Sequence, residues 1–127
     1  MTDFAAPGAG TTPLIDTFAL AAAATAELED WGPLEEATGE PMHASGTAFW
    51  TSADGLKSAG VWECTAGPSY WVQDENEFVH ILSGSLTVTP DGGSPRKLGP
   101  GDATMFPRGW RGTWDLHETV RKVYVIF

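Results

Sequence analysis

Glu77-Phe78-Val79-His80-Ile81-Leu82-Ser83-Gly84, followed 16 residues later by Gly101-Asp102-Ala103-Thr104-Met105-Phe106-Pro107-Arg108-Gly109, decides the fold. The first stretch is a strand rich in branched and aromatic residues, closed by a glycine that permits a tight turn. The second starts a strand at Gly101-Asp102 and ends it at Pro107, which cannot donate to a ladder. Between them lies one hairpin signal, Asp91-Gly92-Gly93. Period-2 alternation on the first strand puts Glu77 and His80 on opposite faces.

Working outward, the same texture continues in both directions. Strands are expected at Thr47 to Ser52, Ser58 to Thr65, Ser69 to Gln73, Leu86 to Thr89, Arg96 to Leu98, Ala103 to Phe106, Trp110 to Leu116 and Val120 to Phe127. Asp54-Gly55 and Gly67-Pro68 are the breaks between the early ones. Short strands separated by Gly and Pro turns predict an all-β sandwich or closed barrel over residues 46–127.

Residues 1–45 read differently. Met1 to Thr12 is Ala, Gly, Thr and Pro, and is expected to be mobile. The Ala-rich run Ala21 to Ala24, followed by Glu27, Glu29 and Asp30, predicts a short helix over 18–29, ended by Trp31-Gly32-Pro33. Leu34 to Ser45 is an extended lead-in, so the whole of 1–45 is an acidic arm before the barrel.

Composition narrows the function. The chain has 127 residues, room for one modest core. Six Trp, six Phe and two Tyr exceed what such a core needs, so some are expected to line a pocket. The net charge is −10, and every fixed charge before Lys57 is acidic, which argues against nucleic acid as a partner. Cys64 is the single cysteine, expected as a buried structural thiol in a reducing compartment. The N-terminus lacks the basic start of a secretory signal, and Leu20 to Ala26 is too short to span a bilayer. A cytoplasmic protein with no membrane partner is expected.

Glu77 followed by six residues and Gly84 matches the second half of the first cupin motif. Gly101, five residues, Pro107, one residue and Gly109 match the first half of the second. The chain therefore resembles the cupins, which implies an RmlC-like jelly-roll β-barrel. It is most similar to the small ureidoglycine-aminohydrolase-like cupins, through Gly60-Val61-Trp62-Glu63-Cys64-Thr65, Tyr70-Trp71, Asp74-Glu75-Asn76-Glu77-Phe78, Pro100-Gly101-Asp102, Gly112-Thr113-Trp114 and Val120-Arg121-Lys122 with Tyr124.

The resemblance also implies where metal ligands would stand. Two His of the first motif fall on Tyr70 and Val72, or on Trp71 and Gln73 if the loop is one residue shorter. The third falls on Gly112. Only Glu77 remains, and one carboxylate does not hold a transition metal. No metal and no cofactor are expected. An atypical site built from Glu63, Glu77, Gln73 or His80 is the alternative.

An inward Glu77 would sit in an aromatic cavity. Trp110, Gly112 and Trp114 share one face by alternation, with Gly112 leaving space. Tyr70, Trp71, Gln73, Trp62, Trp110 and Trp114 are the candidate ligand-binding residues, and Glu77 the candidate general acid or base. A buried Glu needs a partner, for which Arg121 is preferred over Arg111 and Lys122. The favoured function is a metal-free pocket for a small polar or cationic metabolite. A metal-dependent hydrolase or isomerase and a non-catalytic dimeric interaction module are the alternatives. A homodimer is expected, isologous pairing being the usual oligomer.

Overall fold

A computed structural model describes residues 13–127. Met1 to Thr12, expected to be mobile, lies outside the described residues. Ten strands follow one another: β1 (Glu29–Pro33), β2 (His43–Thr51), β3 (Ser58–Cys64), β4 (Gly67–Val72), β5 (Glu77–Ser83), β6 (Leu86–Pro90), β7 (Arg96–Leu98), β8 (Ala103–Phe106), β9 (Arg111–Leu116) and β10 (Val120–Ile126). They form two antiparallel sheets, ordered β1-β2-β3-β10-β5-β8 and β4-β9-β6-β7. This is the expected all-β jelly roll.

The two motif stretches meet as their spacing requires. β5 pairs β8, with Glu77 opposite Phe106. Ile81 N donates to Asp102 O, and Gly101 N donates back to Ile81 O. Gly84 has φ +82°, and a Cβ there would lie 2.1 Å from the Thr119 carbonyl oxygen, so the turn and the close approach both require glycine.

Alternation sorts the side chains. Glu77, Val79 and Ile81 of β5 are buried while Phe78 and His80 are exposed. Val120, Lys122 and Tyr124 of β10 are buried beside them. The core joins these to Trp62, Phe106, Trp114 and Leu116. Large rings fill it and leave a void of only about 10 Å³ among Trp62, Ile81, Phe106 and Trp114.

The helix expected over 18–29 is not formed. Residues 21–25 make turns, Ala22 adopts a left-handed φ of 50°, and Glu29–Pro33 is already β1. Alanine propensity favours a helix, but a segment this short is marginal alone in water. Two tertiary contacts win instead. Arg121 Nη1 donates to the carbonyls of Ala23 and Ala26, both at 3.0 Å. β1 pairs antiparallel with β2 and captures the end of the segment. Among the described residues no helix is long and apolar enough to cross a membrane.

Candidate functional site

Glu77 opens β5 facing inward. Its Oε2 accepts from Lys122 Nζ at 2.8 Å, an ion pair whose side chains are only 10% and 6% exposed. The same Nζ lies 4.5 Å from the Trp62 ring centroid and 4.2 Å from that of Trp114. One carboxylate and two aromatic faces thus surround the Lys122 amine. Each compensates part of the cost of removing the charge from water. Gln73 Nε2 reaches the other carboxylate oxygen, Oε1, at 3.4 Å.

The tryptophans hold one another. Trp71 stacks on Trp114 with centroids 4.5 Å apart, and Trp62 meets both edge-on at 6.4 and 6.3 Å. Ser69, fully buried, accepts from Trp71 Nε1 and donates to the Trp114 carbonyl. β4 and β9 pair with Trp71 opposite Gly112 and Ser69 opposite Trp114, which fixes this stack.

Above the Glu77–Lys122 pair a cavity of about 320 Å³ opens to solvent. Trp62, Trp71, Gln73, Glu77, Lys122 and Tyr124 form its depth; Trp31, Glu36, Asp74 and Glu75 stand around it. The loop carrying Asp74 and Glu75 is anchored at both ends. Gln73 N donates to Trp110 O and Gly109 N to Gln73 O, while Asn76 and Phe127 exchange backbone bonds. Glu36 is placed because Tyr70 N donates to its carbonyl, which zips residues 36–38 along β4. Trp31 lies against Gly46, where a Cβ would stand 2.5 Å from its ring. Burial and the Glu77 charge push the Tyr124 phenol above its ordinary range. Burial pushes the Cys64 thiol up to about 11, as expected of a structural thiol.

Several expected positions are corrected. Arg121 is not the partner of Glu77. It faces the outer side of the sheet, where its Nε lies 2.9 Å from Glu63 Oε1. A register irregularity opposite β5 separates Arg121 from Lys122, and the strand turns the second of the two inward. Tyr70 is exposed and its hydroxyl donates to Asp91, because the alternation of β4 buries Ser69 and turns Trp71 inward. That contact raises the Tyr70 pKa. Trp110 precedes β9, in a turn closed by its own N–H to Pro107 O, and its ring lies on the side to which a Gly112 side chain would point, yet it does not line this cavity. Its ring packs edge-on against Phe106 at 4.9 Å and lines a separate depression. Nor does Gly112 leave a space: a Cβ there would meet the Thr89 carbonyl oxygen at 2.2 Å and the Trp110 ring at 2.7 Å. Trp114 is 1% exposed and supports the cavity from below.

Lys122 was weighed only behind Arg121 as the partner of Glu77, and Tyr124, Glu36 and Trp31 were not among the sequence candidates. The signal for the first two was the pattern Val120-x-Lys122-x-Tyr124, a period-2 face with a cation in an apolar row.

The residues present do not fit a transition metal. Trp71 and Gln73 are the inward residues of the β4 end, and Gly112 stands opposite Trp71. The remaining carboxylate, Glu77, is already bonded to a cation of the chain itself. Glu63 and His80 lie on the outer face, away from Glu77. Among the described residues no three His, Cys, Asp or Glu side chains converge as ligands.

A family model described as EutQ-like cupin domain matches residues 51–124. A protein of unknown function from Pseudomonas syringae superposes with a TM-score of 0.74 at 18% identity, covering 82% of this chain and 46% of that one. The present chain thus spans about half the length of that relative. The EutQ protein of Clostridium difficile gives a TM-score of 0.67 at 16% identity and 80% coverage of both chains. Identities this low show the fold alone. A small Thermotoga maritima protein is 37% identical over 53% of this chain and 76% of its own, with a TM-score of 0.51. No curated protein matches the chain.

Proposed function

The chain belongs to the EutQ-like cupin domain family, and from that premise we propose that it binds a small polar metabolite in the mouth of its barrel without a transition metal. The observation that carries this is the Lys122–Glu77 pair, closed at 2.8 Å beneath two tryptophan rings at the base of the open cavity. An internal amine occupies the carboxylate that a cupin metal would need. The cavity, at about 320 Å³, has the size of a small-ligand site.

The resemblance to ureidoglycine-aminohydrolase-like cupins supports this reading of the frame and transfers no activity, since Trp71, Gln73 and Gly112 stand where the ligands would be. Any acid–base role of Glu77 is exercised with Lys122 bonded to its Oε2 at 2.8 Å. Elemental analysis of untagged protein tests the proposal. Metal far below one equivalent is expected; a stoichiometric transition metal whose content falls in Glu77→Gln would overturn it.

A second reading, a dimeric interaction module, is favoured by one observation. Ala59, Val125, Phe78 and Met105 are cross-strand neighbours on four adjacent strands of the six-stranded sheet. Phe78 and Met105 are exposed on its outer face. The row carries no charge in a chain of net charge −10, so two copies approach there with least repulsion. Sedimentation of the wild type against Phe78→Lys separates monomer from dimer.

A further inference from the structure

We propose that the ligand of the mouth cavity is a small organic cation, a metabolite carrying an ammonium group; this rests on the cavity being a ligand site. The floor and the rim differ in what they still offer. At the floor, Lys122 is engaged by Glu77 and by the faces of Trp62 and Trp114. Its stem and head are almost fully enclosed, so an anionic ligand finds no free cation there. Glu77 is likewise engaged through both oxygens.

The rim has the opposite sign and is not engaged. Glu36, Asp74 and Glu75 line it, and none forms an ion pair among the described residues. All seven Lys and Arg of the chain lie within those residues, and none forms an ion pair with these three carboxylates. The lining therefore carries four carboxylates against one amine. Trp31 and Trp71 share the lining with these carboxylates, and aromatic faces attract cations.

Tyr124 supplies an independent pointer. Its side chain lines the cavity, and its hydroxyl makes no hydrogen bond among the described residues and is not sealed from solvent, so it is free to bond what enters. The phenol oxygen is an acceptor for an ammonium N–H, and desolvation holds it in the neutral form. Aromatic faces, an unengaged acceptor and unpaired carboxylates together recognise an alkylammonium group.

The test uses three probes of one shape: tetramethylammonium, tert-butanol and pivalate, with n-butylammonium as a fourth that can donate a hydrogen bond. Tryptophan fluorescence of the full chain reports binding. Both ammonium probes should saturate in the millimolar range, and tert-butanol and pivalate should not. Affinity should fall about tenfold in Trp71→Ala and again in Asp74→Asn/Glu75→Gln, a loss matching the usual size of one such contact. It should also weaken as salt rises. Tyr124→Phe should weaken n-butylammonium and leave tetramethylammonium unchanged. The rim carboxylates are at the surface, so that double variant should keep the wild-type melting curve and remain interpretable. If pivalate or tert-butanol saturates and the ammonium probes do not, the cationic class is overturned while the ligand site stands. If ammonium probes bind equally well to Trp71→Ala, they do not occupy this cavity and the proposal is overturned. If no probe saturates, both the class and the ligand site are rejected.

Discussion

Arg121 and Lys122 are adjacent cations on β10, each with a glutamate within 2.9 and 2.8 Å, and they face opposite sides of the sheet. The outer pair, Arg121–Glu63, is hydrated mainly on its acidic side; the Glu63 side chain is 31% exposed and that of Arg121 11%. It works as a clasp, because the guanidinium also holds the carbonyls of Ala23 and Ala26 and so ties the N-terminal segment to the sheet. The inner pair, Lys122–Glu77, is shut between tryptophans and serves as the floor of the cavity. The same chemistry therefore does two jobs, and one step along a strand decides which. Removal from water is what separates them energetically. A hydrated pair is worth little, whereas a buried charge left without its partner is costly.

The largest effect should come from breaking the inner pair on one side only. Lys122→Met leaves the Glu77 carboxylate buried and alone, and should cost about 3–5 kcal/mol in urea unfolding. The double variant Lys122→Met/Glu77→Leu should recover most of that loss. A double variant as unstable as the single would show that the pair contributes more than mutual compensation.

Next comes the inner neighbour of Glu63. Cys64 is 1% exposed, and its thiol titrates at about 11 against an ordinary 9.0. Folding therefore favours the neutral thiol. That contribution is complete below pH 9 and is lost as pH rises through about 11. Its size should be about 2–3 kcal/mol. Urea unfolding of wild type and Cys64→Ala at pH 8 and pH 11 should show a smaller alkaline loss in the variant. Tyr124, raised in the same sense, adds to the wild-type loss at the upper end of this range.

On the outer side, Arg121→Ala should cost only about 1–2 kcal/mol, the usual size for charged hydrogen bonds near solvent. Its sharper signature is local. Limited proteolysis should cut within residues 20–28 faster than in wild type, while the cavity keeps its ligand. Loss of ligand binding in Arg121→Ala would mean that clasp and cavity are coupled. Smallest of all, Tyr70→Phe removes an exposed contact to Asp91 and should change stability by under about 0.5 kcal/mol, with binding unaltered.

Much of the frame was legible in the residues. Turn glycines, the terminating proline and period-2 alternation are local constraints, and each acts on its own strand. That is why the all-β reading, the strands from Ser58 onward and the opposite facing of Glu77 and His80 could be read from spacing, whereas β1 could not. The site was legible where a local rule sufficed. Trp62, Trp71, Gln73 and Glu77 do line the cavity. It was illegible where the phase of a strand depends on a neighbour. Arg121-Lys122 offers a cation at either phase, and pairing with β3 and β5 selects the second. Tyr70-Trp71 offers an aromatic at either phase, and pairing with β9 turns the tryptophan inward. Trp110 lies on the side of Gly112 as alternation expects, but it lines a different depression, which local spacing could not tell. The alanine run failed as a helix for a related reason, since the contacts that hold it come from Arg121 and β2, far along the chain.

The sequence by itself thus determined a cupin barrel carrying Glu77 in an aromatic setting and lacking the histidines of a metal site. Only the tertiary structure decided what replaces them. A buried carboxylate must find its cation in space, and Lys122 is 45 residues away on a strand whose facing is set by its neighbours.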